Sequence, residues 1–112
     1  MALGYLPLLL VSLAGASWAD TETVNVEGRG VVDLTPFVCQ DITRSSLVSR
    51  VCYHAADRVM IVQVKTAYSQ YCGVAEAARD SLLNAPSIGQ YYNASIKASG
   101  ARAPYRCRAQ EF

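Results

Sequence analysis

The sequence predicts an α+β fold: a three-stranded antiparallel meander followed by two short helices packed on one of its faces, the whole stapled by disulfides. Three observations predict it. Met60, Val62 and Val64 alternate with Ile61, Gln63 and Lys65, the period-2 pattern of a strand. The spacing then lengthens, and Val74, Ala78, Leu82 and Ala85 fall on one face of a helix. Finally, the chain has 112 residues and four cysteines, Cys39, Cys52, Cys72 and Cys107. A domain that small gains little stability from its core alone, and covalent staples are the usual supplement.

In chain order, Met1 to Ala19 carries no charged side chain and has an apolar centre from Leu6 to Ala16. That centre falls short of the roughly 20 apolar residues needed to span a bilayer, and it fits the h-region of a secretory signal. Ser17-Trp18-Ala19 places small residues at the positions a signal peptidase reads, so residues 1–19 are expected to be a signal peptide cleaved before Asp20. Residues 20–44 are expected to be an N-terminal leader and lead-in. Val24 and Val26 alternate, but a flexible leader is preferred there over a short edge strand, because chain ends are poorly ordered unless tied down. Val31 to Phe37 is more apolar and runs into Cys39, and Pro36 argues against a central strand.

Three strands are expected next, over Leu47–Tyr53, Val59–Lys65 and Tyr68–Cys72. His54 to Arg58 is a turn-length connector, and Thr66-Ala67 leaves room for a tight hairpin. The helical pattern from Val74 ends at Asn84-Ala85-Pro86. Ser87-Ile-Gly-Gln90 reads as a capping box for a second helix, whose Ile88, Tyr92 and Ile96 would face the core together. Ser99-Gly100 would end it. Strands followed by helices give the α+β order.

Successive cysteines have 12, 19 and 34 residues between them with no C-x-x-C, which argues against zinc and against thioredoxin-like redox chemistry. An even count in a short exported chain reads as two disulfides. In a meander Cys52 and Cys72 lie two strands apart, about 9–10 Å, beyond the reach of a bridge. The pairing therefore leans to Cys39–Cys52 with Cys72–Cys107. His54 is the sole histidine and lies in a predicted turn, without a nucleophile beside it. Glu76 and Asp80 share an exposed helix face with Arg79, and Gly28 and Gly30 precede no helix of the phosphate-binding kind. No catalytic residue, metal ligand or cofactor is assigned.

Ser45-Ser46, Val48, Val51 and Tyr53, then Met60-x-Val62-x-Val64 and Tyr71-Cys72-Gly73-Val74, form a pattern that continues through Leu82, Ala85, Ser87 and Gly89. With Gly89-Gln-Tyr-Tyr-Asn-Ala-Ser-Ile-Lys97, like G-x-Y-F-N-x-x-I-R, and with Tyr105, residues 45–108 resemble the KTSC domain, a short domain named from the C-terminus of some lysyl-tRNA synthetases. Pro36 to Ser46 resembles the lead-in of an exported, cysteine-containing subset of that family. The family's central Y-x-Y stands here as Ser69-Gln70-Tyr71, and Ala75 stands where the family often has proline.

The resemblance implies no settled biochemical activity. The expected function is a secreted or periplasmic, non-enzymatic binding module with a protein or peptide partner and no stable membrane insertion after signal cleavage. Its candidate binding surface is Tyr71, Tyr91, Tyr92, Asn93, Lys97, Arg102, Tyr105, Arg106 and Arg108, where tyrosines accompany a basic C-terminal stretch. RNA binding is the alternative that the synthetase association implies. It is disfavoured because four bases make a thin footprint for nucleic acid. Partner identity and oligomeric state stay open.

Overall fold

A computed structural model describes residues 21–97 and 103–108. The expected signal peptide, the Ser99-Gly100 stop and Arg102 lie outside the described residues. Six strands form one mixed sheet: β1 (Thr23–Val26), β2 (Gly30–Asp33), β3 (Val38–Asp41), β4 (Val48–His54), β5 (Val59–Val64) and β6 (Ala67–Tyr71). Their spatial order is β2-β1-β6-β5-β4-β3. Helix α1 (Glu76–Asn84) and helix α2 (Ile88–Tyr91) follow, and α2 continues into a π-helical turn over Tyr92–Ile96.

The expected three-stranded meander is thus corrected. β4, β5 and β6 do form an antiparallel meander at the centre of the sheet. The segment read as a leader adds three more strands. β3 pairs with β4 at one edge, and the β1–β2 hairpin joins the other through a parallel contact between Val26 and Tyr68. The hairpin closes where Arg29 N–H meets the Val26 carbonyl at 3.0 Å, with Gly28 and Gly30 at φ +78° and +102°. Glycine takes those left-handed angles without the steric cost a Cβ brings. Pro36 lies in the link between β2 and β3, where it interrupts no ladder.

That link also forces the sheet to curl. Leu34 to Phe37 is a turn closed by Phe37 N–H to the Leu34 carbonyl at 2.9 Å. Its ends lie within about 7 Å, so Asp33 and Val38 are at most ~15 Å apart. Five strand spacings in a flat sheet would separate β2 from β3 by about 24 Å. The hairpin and link therefore fold over the second face, where Val26 and Leu34 bury Cys52 and Ile61.

The first face carries the helices. Val48, Val51, Tyr53, Met60 and Val62 pack under Val74, Leu82, Ile88, Tyr92 and Ile96, all essentially buried. Val48 and Val51 share this face despite their odd spacing because the register slips between Val48 and Arg50. Ile88, Tyr92 and Ile96 do face the core together, and the Ser87 hydroxyl accepts the Gln90 N–H at 3.2 Å. The β5–β6 turn falls on Lys65-Thr66, one residue before the expected position, with Lys65 at φ +59°. The disulfides pair as the sequence leans. Cys39 and Cys52 are directly opposite on β3 and β4 with Cα atoms 3.9 Å apart, and Cys72 holds Cys107 at a Cα separation of 4.9 Å.

Candidate functional site

The predicted surface divides into three parts. β6 brings Tyr71, and the start of the π-turn brings Tyr92, so that their hydroxyls meet at 2.5 Å and their rings stand edge to face. Tyr92 is buried and Tyr71 half-buried, and burial pushes both phenols upward from their ordinary range. The shared hydrogen bond adds to the rise at Tyr92 and opposes it at Tyr71, where burial prevails. Next to them, Tyr92, Asn93 and Lys97 line a small cleft of about 190 Å³ together with Glu27, Ser69 and Leu47. Asn93 and Lys97 are exposed.

Tyr91 and Tyr105 serve packing instead. Both are half-buried against the helix-face core, and the Tyr105 carbonyl accepts the Cys72 N–H at 2.9 Å. Arg106 and Arg108 are exposed on either side of Cys107. Two of the four expected tyrosines are therefore core-edge residues, as amphipathic rings in small domains commonly are.

A larger cleft, about 530 Å³, opens on the other face of the sheet. Of the residues singled out from sequence as a surface or a staple, Cys72 alone lines it. β2 supplies Val31, Val32 and Asp33, the following turn supplies Pro36 and Phe37, and β4 supplies His54 at its end. Asp57, Val59 and Gln70 complete the far wall, and Arg29 stands at the hairpin tip. Its size falls within the range of small-ligand pockets, and its lining mixes apolar side chains with Arg29, Asp33, His54, Asp57 and Gln70 in about equal measure.

The polar groups are held in place. Asp33 accepts hydrogen bonds from the Thr35 hydroxyl at 2.6 Å and the Thr35 N–H at 2.8 Å. These two bonds keep its carboxyl below the usual range. His54 does not lie in the predicted turn: it ends β4, is half-buried, pairs Nδ1 with Asp57 Oδ2 at 3.1 Å and lies 5.4 Å from the Phe37 ring. Arg29 donates to Gln70 Oε1 at 3.3 Å across the cleft. At the hairpin's open end, Arg50 grips Glu22 through two bonds of 2.6 and 2.8 Å, which holds the Glu22 carboxyl below its ordinary value. The hairpin is thereby held at both ends, by Arg50 at its open end and by the Arg29–Gln70 bond at its tip.

Among the described residues no group of three His, Cys, Asp or Glu side chains is placed to hold a metal ion, and no helix is long and apolar enough to cross a membrane. Residues 44–99 match the family model of the KTSC domain. The chain belongs to the KTSC family. A crystal structure of a KTSC domain protein from Yersinia pestis is similar to it, with a TM-score of 0.55 and 26% identity. That likeness covers 64% of this chain and 94% of the Yersinia chain. No curated protein matches.

The family match locates the two clefts differently. Of the residues named in the small cleft, all but Glu27 lie inside the matched segment. The large cleft is composite: His54, Asp57, Val59, Gln70 and Cys72 belong to the KTSC segment, whereas Arg29 to Phe37 precede it. Sequence reasoning missed this site because its two walls lie on opposite sides of the matched boundary. The available signal was the apolar stretch from Val31 to Phe37, which needs a surface to cover.

Proposed function

We propose that this KTSC protein is an exported, non-enzymatic binding module that takes a protein or peptide segment in the large cleft between β2 and the His54 end of the sheet. The observation that carries the proposal is the composite cleft itself, where the apolar side chains of Val32, Phe37 and Val59 are joined by the polar ones of Asp33, Asp57 and Gln70. Two disulfides support a place outside the reducing cytosol. The test is a display selection with random heptapeptides, followed by nuclear magnetic resonance titration of the synthesised winner. Shifts clustering on Val32, His54 and Gln70, with binding weakened at least about tenfold by Gln70→Ala or Asp57→Lys, support the reading. Winners that instead shift Tyr92, Asn93 and Lys97, or any turnover abolished by His54→Ala, overturn it. Export has its own readout: the protein recovered from the periplasm or medium should begin at Asp20 by mass spectrometry.

A further inference from the structure

We infer that β2 is a self-pairing edge, through which two copies of this chain join antiparallel into one continuous sheet. The register of the hairpin settles which backbone groups face outward. Leu34 N–H bonds the Glu22 carbonyl at 2.8 Å, and the β1–β2 pairs continue from there as Val24 with Val32 and Val26 with Gly30. Hydrogen-bonded and non-bonded pairs alternate in an antiparallel ladder. Asn25–Val31 and Thr23–Asp33 are therefore the non-bonded pairs, and the N–H and C=O groups of Val31 and Asp33 point away from β1. The other side of β1 agrees, since Glu27 N–H turns to the Tyr68 carbonyl of β6 at 2.9 Å.

The outward positions carry a pattern that fits a second copy. Val31 is 73% exposed, the more exposed of the two large apolar residues left open among the described residues. Arg29 and Asp33 flank it at equal distances in sequence, one basic and one acidic, and both are exposed. Antiparallel pairing centred on Val31 sets Val31 against its own copy and places Arg29 opposite Asp33 of the partner twice. Val31 exchanges two backbone bonds with its copy. Each Asp33 N–H faces the partner strand, while the Arg29 N–H is already bonded to Val26. Shifting the centre to Val32 opposes Asp33 to Val31, and shifting it to Asp33 opposes two carboxylates, so charge selects the first register.

β3, the other edge, lacks this symmetry. Ile42 N–H bonds the Ser49 carbonyl, so Cys39 and Asp41 face outward there. Its self-pairing registers set Asp41 against Cys39, Phe37 or Asp41, with no opposite charge to meet. Charged residues within an edge guard it against pairing, and β2 has its charges only at the two ends.

A four-residue edge makes a small interface, so the dimer forms in the upper micromolar to about millimolar range typical of such contacts. Sedimentation equilibrium of the purified, oxidised protein up to about 1 mM should show a monomer–dimer equilibrium. Val31→Lys should abolish it while the circular dichroism spectrum stays unchanged, because Val31 is exposed. The decisive arm uses charge. Arg29→Asp alone and Asp33→Arg alone should each weaken self-association about tenfold or more, and an equimolar mixture of the two should restore a dimer containing one of each. A wild-type protein that stays monomeric, a dimer indifferent to Val31→Lys, or a mixture no more dimeric than its components would each overturn the inference.

Discussion

Arg44 acts as the C-terminal cap of a helix that begins 32 residues later in the sequence. α1 has no basic residue in its last turn, and Ala85, which caps it, turns into extended backbone before Pro86. Into that gap Arg44 places its guanidinium, donating from Nη2 to the Leu83 carbonyl at 2.6 Å and from Nη1 to the Ala85 carbonyl at 3.1 Å. A hydrogen bond to a charged donor contributes about 1.5–3 kcal/mol when sheltered. Arg44 is exposed, which lowers that figure, and the interaction of its charge with the helix dipole adds roughly 0.3–1 kcal/mol. Arg44→Ala should therefore cost about 1–2 kcal/mol, a fall of roughly 4–16 °C in melting temperature for a domain this small. Arg44→Lys should recover less than half of the loss, because a single ammonium keeps the charge but cannot span two carbonyls. Urea unfolding followed by circular dichroism near pH 7, in low and high salt, separates the parts. Salt should remove the dipole contribution and leave the bidentate one. Full recovery by lysine would refute the two-carbonyl clamp, and an alanine variant as stable as the parent would refute the cap altogether.

Tyr71 and Tyr92 both titrate above their ordinary value of 10.0 in the folded chain, chiefly through burial. The unfolded chain therefore loses these protons first, so stability holds below about pH 10 and falls as pH rises beyond it, a decline that Tyr92→Phe should make shallower in urea midpoints measured up to about pH 11. Replacing Cys39 and Cys52 by alanine should cost about 3 kcal/mol, and replacing Cys72 and Cys107 about 4 kcal/mol, from the entropy that each bridge removes from the unfolded chain. Urea unfolding of the two double variants should show that order, which follows the sequence separations of 13 and 35 residues. Gly73 sits at φ +69° with nothing within 4 Å of the position a Cβ would take, so Gly73→Ala should cost about 1 kcal/mol for backbone conformation alone, and Gly73→Asn less.

The helix-face half of the fold was legible because each of its elements repeats its own period. Met60, Val62 and Leu82 fall where alternation and helical spacing put them, and all three are fully buried. The second face was not read, although the same strands announced it. Val51, Cys52 and Tyr53 are buried in succession, as are Met60, Ile61 and Val62. A sheet covered by helices on one face only would leave Cys52 and Ile61 in water, so three consecutive apolar residues in two neighbouring strands call for a second layer. That layer comes from β1 and β2, which are four residues each and hold few apolar side chains. Such short strands are decided by what they pair with, and a pairing such as that of Val26 with Tyr68 leaves no local period. The candidate surface followed the same division. Asn93 and Lys97 stand exposed in the small cleft, while His54 and Phe37 meet only through the β3–β4 register.

The disulfides acquire a different meaning once the family boundary is set against them. Each joins one cysteine inside residues 44–99 to one outside: Cys52 holds Cys39 of the lead-in, and Cys72 holds Cys107 of the tail. Neither bridge links two parts of the KTSC segment to one another. The helix-face core, from Val48 through Ile96, contains no cysteine. The staples thus fasten the lead-in and the tail onto the KTSC segment. Cys72, which holds the tail, lies at the far wall of the large cleft within the KTSC segment, and of the two additions only the lead-in borders that cleft, as its near wall. Covalent fastening matters most there, because a wall built from a four-residue strand and a four-residue link has little apolar surface to hold it. The Cys39–Cys52 bridge ties the lead-in wall of the cleft to the KTSC segment, which alone would not provide that wall.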